Sequence, residues 1–258
     1  MFAAQRISLL KKIVLEKKNV DVAALCSALE VSDVTVRKYL DQLEREGFLM
    51  KVHGGAILAQ NVNQIEETAD REGREYTYEE ERIADTAVSI IENGENIFLG
   101  SGKICTLIAS KLYDKRNISV LTNNLDVVKF LEPYIKSVTV FGGKAMNYNG
   151  NMCTYGVDMM AQISRIYVTK AFFCVDGIDI DAGITMNNNE LSLVMEWVSN
   201  IAAQKVILSP SCNFSRKELY RVNELEYFDI YITDMKIDGA YKTYFYGNDL
   251  KLIEAIDI

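Results

Sequence analysis

The sequence predicts a two-part α/β protein: a small N-terminal unit of three helices closed by a β-hairpin, and a larger α/β unit built on a mostly parallel sheet. Three observations predict it. Apolar residues recur at helical spacing through the first 47 positions and give way to an alternating stretch that ends near residue 58. Residues 59–78 are polar, charged and poorly periodic. Beyond them, short apolar runs alternate with helical stretches to the end of the chain. At 258 residues, 49% of them hydrophobic and 10% aromatic, the chain is long enough for one large core and one small one.

The first helix is expected over Arg6–Glu16 and the second over Val20–Glu30, with Val22, Leu25 and Leu29 turned inward. Glu30-Val31-Ser32 is short enough to be the turn of a helix-turn-helix. Ser32 is the expected N-cap of a third helix, its hydroxyl serving a free backbone N–H. Val36, Leu40 and Leu43 form the buried face of that helix, and Gly47 ends it. Arg37 and Lys38 then fall on its solvent face near its start, where recognition helices meet base edges and phosphates, although a charge pair there is also compatible with a plain solvated face. Phe48 to His53 alternate as a strand, Gly54-Gly55 supply a turn, and Ala56-Ile57-Leu58 return as a second strand. The hairpin reads as a wing, with Lys51 and His53 as its DNA-facing candidates; His53 could equally make a structural hydrogen bond.

The expected boundaries are 1–58 for this winged unit, 59–78 for a linker and 79–258 for the α/β unit. A helix over Glu79–Asn93 opens the second unit. Strands follow at Asn96–Leu99, Ser119–Thr122, Val138–Phe141, Ala171–Val175, Val206–Leu208 and Ile230–Thr233, with helices at Ile104–Leu112 and Leu125–Leu131. Ligands of such sheets bind at the carboxyl ends of the strands. Those ends read Gly100-Ser101-Gly102-Lys103, Thr122-Asn123-Asn124, Gly142-Gly143 and Asp176-Gly177-Ile178-Asp179. The first can aim backbone N–H groups, a hydroxyl and one cation at an anion, or can use glycine for geometry alone. Asp176 and Asp179 can bind hydroxyls, exchange protons or cap a turn, and Glu190 can bind a ligand or sit at a helix N-terminus for the macrodipole.

Composition excludes several classes. The one histidine, His53, rules out a His-based metal set or a Ser-His-Asp triad in the large unit. Cys26, Cys105, Cys153, Cys174 and Cys212 show no C-x-x-C spacing and read as buried thiols of a reducing compartment, so neither metal nor cofactor is expected. No apolar run reaches the roughly 20 residues of a membrane span, and no signal peptide is evident, which predicts a cytoplasmic protein. The net charge of −8 is unevenly placed: residues 1–58 carry nine Lys/Arg against seven Asp/Glu, net +2, and the remainder carries −10. The acidity therefore lies away from the proposed DNA face.

Val31-Ser32-Asp33-Val34-Thr35-Val36-Arg37-Lys38 together with Leu49-Met50-Lys51-Val52-His53-Gly54-Gly55-Ala56 resembles the DNA-binding end of the DeoR family of bacterial transcriptional regulators. The resemblance continues through Ser101-Gly102, Thr122-Asn123, Gly142-Gly143, Lys170-Ala171-Phe172, Asp176-Gly177-Ile178-Asp179 and Glu190. It implies a winged helix-turn-helix joined to a sensor domain that looks like ribose-5-phosphate isomerase in fold and takes a phosphorylated sugar or related anionic metabolite. It also implies a repressor rather than an enzyme, with double-stranded DNA as partner through Ser32, Thr35, Arg37, Lys38, Lys51, His53, Gly54 and Gly55. The implied effector contacts are Ser101, Gly102, Lys103, Thr122, Asn123, Asp176, Asp179 and Glu190. A homo-oligomer reading two half-sites is expected. The chain departs from the family pattern at Tyr39, Gly100, Lys103-Ile104, Met195, Pro210 and Asn213. Two alternatives stay open at this point: an isomerase-like enzyme using Asp176, Asp179 and Glu190, and a ligand-independent oligomerisation module.

Overall fold

The computed structural model describes residues 3–17, 19–29, 31–45, 48–52, 54–58, 76–131 and 135–256. Gly47, His53 and residues 59–75 of the expected linker lie outside the described residues. The chain divides into two compact units, Met1–Glu75 and Tyr76–Ile258.

In the first unit, α1 (Ala3–Lys17), α2 (Val22–Leu29) and α3 (Asp33–Arg45) share a core of Leu10, Val14, Val22, Leu25, Leu29, Val36, Leu40 and Leu43. All three inward residues expected of α2 and of α3 are buried, as helical spacing requires. Fully burying such a side chain is worth about 1.5–3 kcal/mol each. The cap of α3 differs from expectation. The Ser32 carbonyl accepts the N–H groups of Thr35 and Val36 at 2.9 and 3.0 Å, while the Ser32 hydroxyl pairs with that of Thr35 at 3.0 Å.

The wing has one strand more than the sequence reading. β2 (Leu49–Val52) pairs with β3 (Gly55–Leu58), and β3 also pairs with β1 (Asn19–Asp21). The second helix therefore begins at Val22 rather than Val20, and Asp21 caps it by accepting the Ala24 N–H at 2.7 Å. Gly55, expected in the turn, belongs to β3 opposite Val52 and Asp21. A Cβ there would lie 2.1 Å from the Val20 carbonyl oxygen, so the close approach of β1 requires glycine.

The second unit opens with α4 (Tyr78–Ser89), one residue before the expected start, under a Thr77–Glu80 capping box. Its centre is a seven-stranded parallel sheet. In chain order the strands are β4 (Asn96–Leu99), β5 (Ser119–Thr122), β6 (Ser137–Val140), β9 (Val168–Cys174), β12 (Ala202–Leu208), β14 (Ile230–Asp234) and β15 (Lys251–Ala255). In space the order is β15-β14-β12-β9-β4-β5-β6. The chain builds outward from β4 to β6, returns to place β9 on the other side of β4, and builds outward again. The switch point is between β4 and β9, and that is where such sheets open a crevice. Burial on both faces explains the near-continuous apolar run of β9, whose Phe172 and Phe173 are buried; Phe98 of β4 packs on Phe173 and Phe141 at ring separations of 5.8 and 6.0 Å.

Around this sheet lie α5 (Lys103–Ser110), α6 (Leu125–Val128), α7 (Asp158–Ile163), α8 (Asn189–Ser199) and α9 (Gly239–Gly247). Two antiparallel pieces complete the unit: a hairpin of β7 (Lys144–Tyr148) and β8 (Asn151–Tyr155), and a small sheet of β10 (Gly177–Asp179), β11 (Gly183–Met186) and β13 (Tyr220–Asn223). The Asp-Gly-Ile-Asp segment, expected as a loop, is thus largely strand β10. Of the thiols expected to be buried, Cys105 and Cys153 are; Cys26 and Cys174 are partly exposed and Cys212 is exposed.

Candidate functional site

On the first unit, burial of Val36, Leu40 and Leu43 turns the opposite face of α3 outward. Asp33, Val34, Arg37, Lys38 and Asp41 are exposed there, Ser32 is exposed just before the helix, and Thr35 is half-buried. Arg37 donates from Nε to Asp33 Oδ1 and from Nη2 to Asp33 Oδ2, the latter at 3.2 Å. On β2, Lys51 is bound by its ammonium to Asp41, lies 3.8 Å from Glu44, and donates its backbone N–H to Glu44 at 2.9 Å. The wing is therefore tied to the recognition helix through its lysine. Among the described residues Lys38 has no ion pair, which leaves it the readiest cation of this face for a phosphate. Gly54, exposed and at φ +85°, leads into β3.

On the second unit, a cleft of about 270 Å³ opens beyond the carboxyl ends of β4, β9 and β12. The loop Ser101-Gly102-Lys103 after β4 lines one part, with Ile104 behind it; Cys174 at the end of β9 and Val175 and Asp176 after it line another; Pro210, Cys212 and Asn213 after β12, Tyr148, Asn149 and Asn151 of the hairpin, Met186 of β11 and the Glu80 carboxylate of α4 line the rest. Gly102 is obligatory here: its φ is +125°, and a Cβ would meet Cys174 Cβ and Sγ at 2.6 and 2.7 Å. Asn124 holds the loop from behind, donating to the carbonyls of Gly100 and Gly102 at 3.3 and 3.4 Å and to Thr106 Oγ1 at 3.0 Å. Asn123 donates to Ser101 Oγ and to the Thr154 carbonyl, each at 3.0 Å, and its buried Oδ1 has no protein partner; the residue also lines a small pocket of about 20 Å³. That is room for one water. Lys103, the first residue of α5, has no ion pair among the described residues.

Comparison with known proteins gives two matching family models, a DeoR-like helix-turn-helix domain over residues 6–62 and a DeoR C-terminal sensor domain over residues 75–235. The chain belongs to the DeoR family. As such it is a DNA-binding transcriptional regulator with a sensor domain. It is 26% identical over 238 residues to the lactose phosphotransferase system repressor of Streptococcus mutans, covering 91% of this chain and 93% of that one. The repressor of the same name from Lactococcus lactis is 28% identical over 221 residues, covering 84% and 86%. The transcriptional regulator IolR of Bacillus subtilis is 25% identical over 244 residues, covering 93% and 94%. A solved D-ribose-5-phosphate isomerase in complex with phospho-erythronic acid aligns with 52% of each chain at 12% identity and a TM-score of 0.38, too distant to carry a conclusion.

The DeoR-family sensor positions divide into those the fold gathers at the cleft and those it places elsewhere. Ser101, Gly102, Lys103 and Asp176 line the cleft, and Asn123 stands behind Ser101. Asp176 is already engaged, accepting from Tyr148 Oη, from the Asn187 N–H at 2.9 Å and from Asn149 Nδ2 at 3.5 Å. Burial, and then this carboxylate, push the Tyr148 hydroxyl pKa well up. Thr122 is fully buried, with its hydroxyl given to the Leu99 carbonyl at 2.6 Å, so it shapes the loop rather than facing the cleft. Asp179 stands at the β10–β11 turn, where it accepts the N–H groups of Asp181 and Ala182, each at 2.9 Å, and faces Lys217 at 3.2 Å. Glu190 is in the first turn of α8, half-buried, behind the N-cap Asn188. Neither Asp179 nor Glu190 borders the cleft. Asn124 was read only as part of a strand end, not as the residue that holds the loop; Tyr148, Asn149 and Asn151 escaped the sequence reading, and the Asn149-Gly150 pair, both at positive φ, was the available hairpin signal. Of the departures, Lys103, Ile104, Pro210 and Asn213 line the cleft, whereas Gly100 and Met195 line the small pocket beside Asn123.

Proposed function

We propose that the chain is a repressor, with residues 1–58 binding operator DNA, 59–78 linking, and 79–258 sensing a small anionic metabolite that alters DNA affinity. The observation that carries the sensing half is Lys103. It is a cation without an ion pair among the described residues, at the start of a helix, on the wall of a cleft at the sheet's switch point. The relatives' names speak of repression of a lactose phosphotransferase system, which suits a phosphorylated sugar as the class of ligand. The altered positions Pro210 and Asn213 supply no charge, so hydroxyl recognition falls to neutral polar groups, Asn149 and Asn213, and differs from the family's usual array.

On the DNA side, Arg37 reads a base edge, Lys38 and Lys51 contact phosphates, and Ser32, Thr35, Gly54, Gly55 and His53 shape or flank that contact. His53 is carried over on the resemblance alone. Val34, 65% exposed on the same face, suits a thymine methyl. A single winged helix buries little DNA, so the working form is a homodimer or larger, acting where DNA is, in the cytoplasm. Among the described residues no helix is long and apolar enough to cross a membrane.

Catalysis is not part of this reading. Asp179 is held by its own turn and Lys217 and, like Glu190, is off the cleft; of the carboxylates that line it, Asp176 is held by Tyr148 and a backbone N–H, and Glu80 accepts the Thr77 N–H in the capping box of α4, so neither is a free acid–base group. A melting-temperature screen of phosphorylated sugars and other small anions tests the proposal. A ligand at 100 times its Kd stabilises the fold by about 2.7 kcal/mol. The shift should largely vanish in Lys103→Ala; an undiminished shift there, or none across the panel, refutes the anion site and favours a ligand-independent oligomerisation module.

A further inference from the structure

We infer that Asp33 is a specificity-determining residue of the DNA face: its carboxylate grips one edge of Arg37 and holds the guanidinium in the orientation that reads a guanine. The inference rests on the proposal that Arg37 contacts a base. A guanidinium has five N–H donors in a rigid plane. Asp33 takes the Nε donor and one Nη2 donor. Both Nη1 donors and the second Nη2 donor remain, and one Nη1–H with that Nη2–H forms the end-on edge of the plane, which the carboxylate leaves open. That edge can still give two parallel hydrogen bonds to guanine O6 and N7.

The ion pair itself adds little stability, although Asp33 also stands in the first turn of α3, where the helix dipole favours a carboxylate. The pair's side chains are 57% and 54% exposed, and an exposed ion pair at helical spacing contributes little to folding. Asp33 also places a negative charge on the face that must approach phosphates, which opposes binding to any DNA. What the carboxylate offers in exchange is order: an exposed arginine otherwise samples many rotamers, and fixing it beforehand lowers the entropic cost of making a bidentate contact. The two effects have opposite signs on two different observables, and that separates positioning from a merely structural role. Removing the charge should strengthen binding to arbitrary DNA and weaken discrimination between sequences.

The test uses the full chain and a duplex enriched by the wild-type protein from a random-sequence pool, with a shuffled duplex of equal length as reference. Dissociation constants are measured for wild type, Asp33→Asn, Asp33→Glu, Arg37→Ala and the double variant, together with every single base-pair change in the enriched site. Melting temperatures check that each variant folds. Asp33→Asn should bind the shuffled duplex more tightly and lose at least about threefold in its ratio of enriched to shuffled affinity, the lower range of coupling between contacting residues. The discrimination lost should lie at the same base pair as in Arg37→Ala, Asp33→Glu should restore it, and Asp33→Asn should add nothing to Arg37→Ala. Should Arg37→Ala lose discrimination at one base pair while Asp33→Asn keeps it, the inference is overturned and the base contact stands. Equal loss on both duplexes with a lowered melting temperature also overturns it, because Asp33 then serves only the helix. Unchanged discrimination in Arg37→Ala removes the base contact itself.

Discussion

Arg37 and Lys51 differ in what their loss should do. Arg37→Ala should weaken binding to a specific site by roughly 1–3 kcal/mol, as for a well-made base contact, visible as a mobility shift requiring more protein. Lys51→Ala should weaken specific and arbitrary DNA alike and flatten the dependence on salt, since phosphate contacts carry no sequence; loss confined to one sequence would make Lys51 a base reader. Both residues could be chosen from sequence because helical spacing and hairpin alternation fix which side chains face out. Their acidic partners were less legible: Asp33 is four residues away on one helix, but Asp41 and Glu44 reach Lys51 only because the wing folds back onto α3. Asp179 gives a pH test. Burial pushes its carboxyl pKa up, but the N–H groups of Ala182 and Asp181 and the Lys217 ammonium outweigh burial and hold it below the usual 3.8. A lowered folded-state pKa contributes stability above the unfolded value and loses it as pH falls through the folded one. The melting temperature of wild type should therefore exceed that of Asp179→Asn at neutral pH, and the gap should close below about pH 4.

Elements with strong periodicity were legible, and those held by long-range pairing were not. The buried faces of α2 and α3 followed from spacing alone, so Leu40→Ala should cost about 2–5 kcal/mol of the winged unit's stability, measured by denaturant unfolding. β4 and β5 were found with their observed ends because both are compact apolar runs. β9 and β12 proved longer than expected, since Ala202-Ala203-Gln204-Lys205 carry no apolar signal and become strand only by pairing with β9. β1 and β10 escaped because each is three residues long and is defined by its neighbour, and β15 because Lys251-Leu252-Ile253-Glu254-Ala255 is flanked by charge and becomes strand by pairing with β14. The third wing strand makes a sharp prediction. Gly55→Ala places a methyl group against the Val20 carbonyl and should displace β1, lowering DNA affinity together with thermal stability of the winged unit. Retention of both would show that β1 does not need that approach.

At the scale of the whole molecule, alternation of strands and helices sufficed to predict a parallel sheet and to direct attention to its carboxyl edge, where a cleft lies, but not the strand order that places the cleft between β4 and β9. That order brings residues 101–103 against residues 174–176, and no spacing in the chain announces it. The same topology sends Asp179 into a separate small sheet, away from the Asp176 with which sequence proximity had paired it. The proposed assembly follows from the proposed DNA face: sedimentation of the chain should give at least twice its 29.1 kDa, and a monomer that still binds the enriched site with full specificity would contradict a two-half-site reader. The central claim is that an anion bound beside Lys103 changes affinity for DNA. It is tested most directly by fluorescence anisotropy of the enriched duplex with wild type and Lys103→Ala, each with and without a saturating anionic ligand chosen by thermal shift. The wild-type Kd for DNA should change by at least about fivefold, the lower range of allosteric coupling, and that of Lys103→Ala should not move. Identical DNA affinity with and without a ligand that demonstrably binds the wild-type protein would contradict the account.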